Sequence, residues 1–455
     1  MAIYSNVLEM VGHTPMLEIS RLDTGPCRLL LKLELMNPGG SIKDRIGISM
    51  IGEAERRGDI RPGDTIVEAT AGNTGLGLAL VAAQKGYKLV LVLPDKMSQE
   101  KIFNLRAMGA EVVLTRSDVA KGHPEYYQDL GRRIAEEQGA YFINQFGNPD
   151  NPLAHERTTG PEIVEELGGE LDAIVLGVGS SGTVSGLGKY LAEHAPHVDL
   201  VLADPEGSIL ADYINKGEMH AGGSWLVEGI GEDFIPSIAD FSQVSKAYSI
   251  SDAESFATAR ELLRTEGLLA GSSSGTLLAA ALRYCREQTE PKTVLSFACD
   301  TGNRYLSKMY NDFWMRDQGF IEDEQHGDLR DLIARPFERH DTITVGPQEP
   351  LANAYTRMKL YDVSQLPVIE DEKILGIIDE SDLLVAVLDS KDAFSQPVHS
   401  AMVTDLTSVQ VGDPIESLLP IFNQDFVAIV NDGERFLGLI TRVDLLNHLR
   451  RRADS

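Results

Sequence analysis

Between Thr65 and about Met309 the chain alternates short β-branched runs with apolar-periodic segments, and this rhythm restricts the fold more than any other property of the sequence. Ile66-Val67-Glu68, Leu89-Val90-Leu91-Val92-Leu93, Glu111-Val112-Val113-Leu114, Ala173-Ile174-Val175-Leu176, Leu200-Val201-Leu202-Ala203 and Val294-Leu295-Ser296-Phe297 are bounded by Gly, Pro or Asp. They read as buried strands. Gly75 to Gln84, Gln99 to Met108 and Thr183 to Glu193 carry helical periodicity. Strands and helices in turn give βα units and a mainly parallel sheet, with ligands expected at the carboxyl ends of the strands.

After Trp314 the pattern changes. Asp317 to Asp331 is acidic, holds Gly319 and Gly327, and reads as a linker with little that packs. Beyond it Ile374-Leu375-Gly376-Ile377-Ile378-Asp379-Glu380-Ser381-Asp382-Leu383-Leu384 recurs as Phe436-Leu437-Gly438-Leu439-Ile440-Thr441-Arg442-Val443-Asp444-Leu445-Leu446. Each copy follows a helical stretch and a short strand, Leu366 to Ile369 or Phe426 to Val430. One such repeat cannot bury its own apolar face, so the two are expected to pack as a pseudo-symmetric pair. The expected organisation is an α/β part over 1–316, a linker over 317–334, and repeats over 335–390 and 391–455.

A chain of 455 residues exceeds what one core usually supports. Its 69 acidic against 41 basic residues give a net charge of -28, which repels nucleic acid and anionic membrane surfaces. The stretch from Met1 to Gly12 has no basic region followed by an apolar core, and no apolar run reaches the roughly 20 residues that span a bilayer. A cytoplasmic location is the expectation. Cys27, Cys285 and Cys299 fit neither a disulfide framework nor a metal-ligand spacing, and the histidines show no paired spacing. No metal site is expected.

Chemistry concentrates in four places. In Asn37-Pro38-Gly39-Gly40-Ser41-Ile42-Lys43-Asp44-Arg45, Ser41 and Asp44 read as a capped helix start, which puts Lys43 in the first turn. The helix terminus already carries about half a unit of positive charge, so an amine there has a lowered pKa and gains nucleophilicity. Thr70-Ala71-Gly72-Asn73-Thr74-Gly75 follows a strand and offers hydroxyl, amide and backbone donors to a carboxylate. Gly177-Val178-Gly179-Ser180-Ser181-Gly182-Thr183 lets backbone N–H groups converge on a phosphate; without a Walker lysine or a ribose-binding acid it suits a lone phosphate group. Gly267 to Thr276 brings three adjacent serines to a helix start. An amine, a phosphate cup and a hydroxyl partner for a ring nitrogen are what pyridoxal phosphate needs.

These motifs resemble the β-family, or fold type II, of pyridoxal-phosphate enzymes, and the resemblance covers nearly the whole chain. It implies a tryptophan-synthase-β-like core of two subdomains. Ser41 to Arg45 resembles the family's cofactor-attachment motif, which makes Lys43 the attachment point. Gly179, Ser180, Ser181, Gly182 and Thr183 match the phosphate loop, Asn73 the donor to the cofactor's phenolic oxygen, and Ser273 the hydroxyl beside the ring nitrogen. Thr70, Ala71, Gly72, Thr74 and Gln145 fall in the substrate-binding segments. The implied activity is β-replacement: Lys43 takes the α-proton of L-serine as general base, water leaves, and L-homocysteine adds to give L-cystathionine. Release of hydrogen sulfide from cysteine belongs to the same chemistry. A neutral hydroxyl at Ser273 leaves the ring nitrogen largely unprotonated, which favours elimination and replacement. A homodimer is the family expectation.

Cysteine synthase chemistry with O-acetylserine and sulfide uses the same loops. Asp204 to Leu210 and Val227 to Pro236 incline the chain toward an amino-acid thiol, whose ammonium Glu228 or Asp233 would pair. Other readings are an adenosyl sensor with an inactive core and a simple β-elimination that yields ammonia. Ala71 stands where the family commonly has serine, and Glu232 where eukaryotic relatives carry an aromatic residue. No amino-terminal extension with a haem-binding Cys and His pair precedes the core, so haem is not expected. The carboxy-terminal repeats resemble a tandem pair of CBS motifs, the Bateman module of α+β units, which implies an adenosyl ligand. Thr441 and Asp444 match the phosphate and ribose contacts; in the first copy Asp382 keeps the ribose contact, while Asp379 replaces the threonine and would repel phosphate.

Overall fold

Two parallel sheets divide the alternating pattern between them. In the computed structural model the smaller sheet runs, in spatial order, Glu111–Thr115, Lys88–Pro94, Thr65–Ala69 and Tyr141–Phe142, all parallel. The larger has the order Met16–Glu18, Arg28–Lys32, Thr293–Phe297, Ala173–Gly177, Asp199–Pro205 and Val244–Ile250. Only its edge pair, Met16–Glu18 with Arg28–Lys32, is antiparallel. The described residues are all but 1, 2, 71, 96, 98, 120, 121, 323, 324, 391, 425, 426 and 455, with 451–454 described as backbone alone. By packing they form two units, Met1–Tyr310 and Asn311–Ser455.

All six expected strands and the three expected helices are present, the helices as Asn73–Lys85, Gln99–Ala107 and Gly182–His194. Arg28–Lys32 and Val244–Ile250 escape the sequence pattern for opposite reasons. The first is a bare Leu triplet ahead of the alternating region, whereas the second mixes Ser245, Lys246 and Ser249 into an otherwise buried edge.

Glycine brings the Lys43–Arg57 and Asn73–Lys85 helices unusually close. A Cβ on Gly77 would stand 2.5 Å from the Lys43 carbonyl oxygen, and one on Gly47 would stand 2.7 Å from the Gly77 carbonyl group. Beneath Lys43, Arg45 is buried between Glu34 and Glu162, with Nε to Glu34 at 2.8 Å and Nη1 to Glu162 at 2.7 Å. Lys32 joins them at 3.3 Å from Glu162. Burial raises the Glu162 carboxyl, but hydrogen bonds and charge from Arg45 override it and hold Glu162 at about 2.

In the second unit each repeat forms an antiparallel pair, Gln365–Glu370 with Lys373–Asp379 and Ala428–Asp432 with Arg435–Ile440. Phe426, expected at the start of the latter pair, lies outside the described residues. Packing crosses the repeat boundaries. Leu329, Leu332 and Ile333 belong to the core of the second repeat, with Leu418 and Leu445, whereas Val398 and Met402 pack in the first. The acidic stretch expected to pack little therefore ends in a buried anchor, Leu329 at 1% exposure; two apolar residues straddling charged neighbours suffice for a 3-10 turn whose apolar side faces a core.

Candidate active site

Lys43 is the first residue of its helix, as its spacing requires. The expected Ser41–Asp44 cap is rearranged: Ser41 Oγ accepts from the Lys43 N–H at 3.2 Å, and Asp44 reaches back to accept from Gly39 N–H at 2.6 Å. Gly40, at φ +76°, turns the chain over the helix end and brings the Gly39 amide onto Asp44. Burial lowers the Lys43 pKa, against the opposing charges of Cys299, Asp300 and Glu232. A larger fraction of free amine than in an exposed lysine follows. Burial also pushes Asp44 up to about 7.

Three helix starts converge here. Asn73 opens its helix with both ends of its amide held: Nδ2 donates to Asp300 at 2.8 Å and Oδ1 accepts from Arg304 Nη1 at 2.5 Å. Thr74 Oγ1 donates to Gln145 at 2.7 Å, and Gln145 Nε2 donates to Glu68 at 3.3 Å. Glu68, wholly buried in the strand below, is raised to about 8 by that burial. Thr70 Oγ1 accepts from the Gly72 N–H at 3.2 Å. Ala71 lies outside the described residues.

Gly179 to Thr183 lead into the Gly182–His194 helix after the Ala173–Gly177 strand. Ser180 Oγ accepts from Asn151 Nδ2 at 3.0 Å, and Thr183 Oγ1 is 3.3 Å from His155 Nε2. Ser181 adopts a left-handed conformation, and its hydroxyl donates to the Ser180 carbonyl at 2.5 Å. A Cβ on Gly179 would stand 2.6 Å from the Gly229 carbonyl oxygen, and one on Gly182 would overlap Asn151 Oδ1, so both walls of the cup close on bare Cα atoms. Bare glycines, two hydroxyls and a helix N-terminus make a donor set suited to a phosphate. Ser273, in the first turn of Ser272–Arg286, hydrogen-bonds the Cys299 thiol, which burial pushes up to about 12. Lys43, Asn73, the cup and Ser273 thus fit pyridoxal phosphate as amine, phenolic-oxygen donor, phosphate cradle and ring-nitrogen partner.

Glu228 differs from expectation. Rather than standing free for a substrate ammonium, it is ion-paired with Lys101 and with Lys308, the latter at 2.7 Å. Both lysines are remote in sequence, which is why the segment looked like an uncompensated acid. These partners lower the Glu228 pKa against its burial. Asp233 is exposed. Glu232 faces Lys43 electrostatically, and burial, with Asp233 and Asp204, raises its pKa well above the ordinary carboxyl value. Asp300, Arg304, Asn151 and His155 were not legible as site residues. The one signal available for the first two was their position just beyond the carboxyl end of the Thr293–Phe297 strand.

Among the described residues no group of three or more His, Cys, Asp or Glu could hold a metal ion, and no helix is long and apolar enough to cross a membrane.

The family model of pyridoxal-phosphate dependent enzymes matches residues 7–300, more than half of the chain. The chain belongs to the pyridoxal-phosphate dependent enzyme family. It therefore uses pyridoxal phosphate as cofactor and is an enzyme of that family's fold type II, and the CBS domain model matches residues 330–389 and 398–451. Among curated relatives it is 35% identical to cystathionine β-synthase of Oryctolagus cuniculus, over all of this chain and 86% of that one. Among solved structures an O-acetylserine-dependent cystathionine β-synthase from Helicobacter pylori is 41% identical, with a TM-score of 0.62, covering 68% of this chain and 99% of that chain. An O-ureido-L-serine synthase is 32% identical, with a TM-score of 0.64, covering 72% and 98%.

In the second unit the carboxylates assigned to ribose are both engaged in helix caps. Asp382 accepts from the Asp379 N–H and Asp379 from the Asp382 N–H, each at 2.9 Å. Asp444 accepts from the Thr441 N–H at 2.7 Å and from its hydroxyl at 2.6 Å. A cleft beside Asp444 is lined by Phe313, Asp317, Asp331, Leu332 and Asn447.

Proposed function

We propose that this chain is a cystathionine β-synthase that condenses L-serine with L-homocysteine to L-cystathionine and water. The observation that carries the reading is Lys43, an amine of lowered pKa at a helix start, in electrostatic reach of Cys299, Asp300 and His155, which are the hydrogen-bond partners of Ser273, Asn73 and Thr183. Full-length similarity to an enzyme of that name supports the choice of substrates.

Pyridoxal phosphate, when bound, holds the amino acid through its aldehyde carbon and withdraws electrons from Cα. The chain supplies the rest. Thr70, Gly72, Thr74 and Gln145 orient the substrate carboxylate. Lys43 Nζ removes the α-proton and later returns one to Cα. The hydroxyls of Ser180 and Thr183 hold the phosphate with the backbone N–H groups of Gly179, Ser181 and Gly182, and Ser273 keeps the ring nitrogen in a neutral hydrogen bond. Glu228, through Lys101 and Lys308, and the exposed Asp233 shape the entry of the second amino acid.

A second reading of the first substrate has an observation of its own. The 41% identity to an O-acetylserine-dependent enzyme favours acetate as an alternative leaving group. Mass spectrometry of products from serine or O-acetylserine, each paired with homocysteine or sulfide, tests both. Cystathionine from serine supports the first reading; cystathionine formed only from O-acetylserine supports the second, and cysteine from sulfide with no cystathionine from either donor refutes both.

The proposal extends to a cytoplasmic homodimer with an adenosyl ligand at the second-repeat cleft beside Thr441 and Asp444, Asp382 being its counterpart. Three free thiols among the described residues suit a reducing compartment. The match of residues 398–451 to the CBS domain, which places Thr441 and Asp444 in its second copy, supports the ligand. Equilibrium sedimentation and calorimetric titration with adenosyl compounds test these points.

A further inference from the structure

Directly under the phosphate cup lies a short helix, Asp150–Ala154, that widens into a single π turn over His155–Thr159. Such turns are rare and concentrate at functional sites. The Gly182–His194 helix sits on this segment through Gly182 and Gly186, where a Cβ would overlap Asn151 Oδ1 and the Pro152 carbonyl oxygen. Asn151, His155 and Thr159 are buried to within 1% exposure. None of them belongs to the Gly-rich loop, yet two reach its hydroxyls.

We propose that Asn151, His155 and Thr159 form a hydrogen-bond relay that turns the hydroxyl protons of Ser180 and Thr183 toward a bound phosphate. The inference rests on reading Gly179 to Thr183 as the phosphate cup.

Direction follows from donor counting. His155 Nδ1 lies 2.9 Å from Thr159 Oγ1 and Nε2 lies 3.3 Å from Thr183 Oγ1. Burial, with the charges of Arg45 and Lys43, keeps the imidazole neutral. A neutral imidazole has one donor nitrogen and one acceptor nitrogen, so the chain of three groups can run in only two senses. In one, Thr183 gives its proton to Nε2 and presents only lone pairs to the cup. In the other, Thr159 donates to Nδ1, Nε2–H donates to Thr183, and the Thr183 proton is left for an acceptor. Phosphate oxygens are acceptors, so an occupied cup selects the second sense. Asn151 acts in parallel: its Nδ2 donates to Ser180 Oγ at 3.0 Å and to the Gln145 carbonyl at 2.8 Å, which frees the Ser180 proton. Ser181 is outside the relay, because its proton already goes to the Ser180 carbonyl. These three are positioning residues, since they act on the ligand only through Ser180 and Thr183.

The test compares apoprotein binding of pyridoxal phosphate with that of pyridoxal, which lacks the phosphate, by spectrophotometric titration of the full chain. Thr159→Val keeps the shape and removes the donor to Nδ1. It should weaken pyridoxal phosphate by about tenfold and leave pyridoxal unchanged, and Thr159→Ser should restore the parent value. Equal affinities for parent and Thr159→Val, or equal loss of both ligands, would overturn the relay. Should Thr159→Val not fold, Asn151→Asp takes its place: it turns the donor to Ser180 into an acceptor and is held to the same two outcomes. Thr183→Val separates the relay from the cup. If it loses phosphate selectivity while Thr159→Val does not, the relay alone fails; if it too keeps full selectivity, the cup assignment fails with it.

Discussion

Replacing Gly77 with alanine probes how Lys43 is held without touching any group that meets substrate. The added Cβ would stand 2.5 Å from the Lys43 carbonyl oxygen, against 3.4 Å for the start of ordinary contact, so the two helices must part by about 0.9 Å. Overpacking of this kind costs about 1–3 kcal/mol. Alanine recovers roughly 0.5–1 kcal/mol from helix propensity, so the net loss of stability is between about 0 and 2.5 kcal/mol. Rate is the more sensitive readout, because a displacement of about 1 Å at a reacting group costs on the order of a hundredfold. Gly52→Ala is the control. It lies on the Lys43–Arg57 helix with nothing within 4 Å of its added Cβ, and should gain about 0.5–1 kcal/mol with kcat unchanged. Urea unfolding and steady-state kinetics on the two variants decide the matter. A Gly77→Ala enzyme with parental kcat and parental stability would refute the claim that this helix crossing positions the amine.

Other consequences follow from the same geometry. Ser273→Asp places a carboxylate where the ring nitrogen is expected, and should divert products from replacement toward other fates, read as the product ratio by mass spectrometry; an unchanged ratio removes the role given to Ser273. Arg45→Met leaves Glu34 and Glu162 buried with only Lys32 as a neighbouring cation and should cost about 3–5 kcal/mol in urea unfolding, whereas a loss under about 1 kcal/mol would contradict the paired state. Glu68, raised to about 8 when folded and near 4.3 when unfolded, stabilises fully below about pH 4 and loses that contribution as pH rises through 8. The stability of Glu68→Gln relative to the parent should therefore climb between about pH 4 and 8, and a flat difference would show that Glu68 is ionised in the fold.

What could be read without coordinates was local in sequence. Lys43 was legible because helix starts obey short-range rules, and the phosphate cup because glycines and hydroxyls crowd into seven residues after a strand. The six strongest strands were legible for the same reason. Residues that act through partners far away were not. Glu228 looked like a free acid because Lys101 and Lys308 stand 127 and 80 residues off. Asn73 was identified, but not the Asp300 and Arg304 that hold its two ends. Leu329 seemed lost in a linker because its packing partners, Leu418 and Leu445, lie in the far repeat.

The central claim is that one amine, Lys43, carries both the cofactor and the proton. Borohydride reduction of holoenzyme followed by peptide mapping measures it directly. The account predicts that the pyridoxyl mass resides on the peptide containing Lys43. Its appearance on any other lysine, Lys101 included, would contradict it.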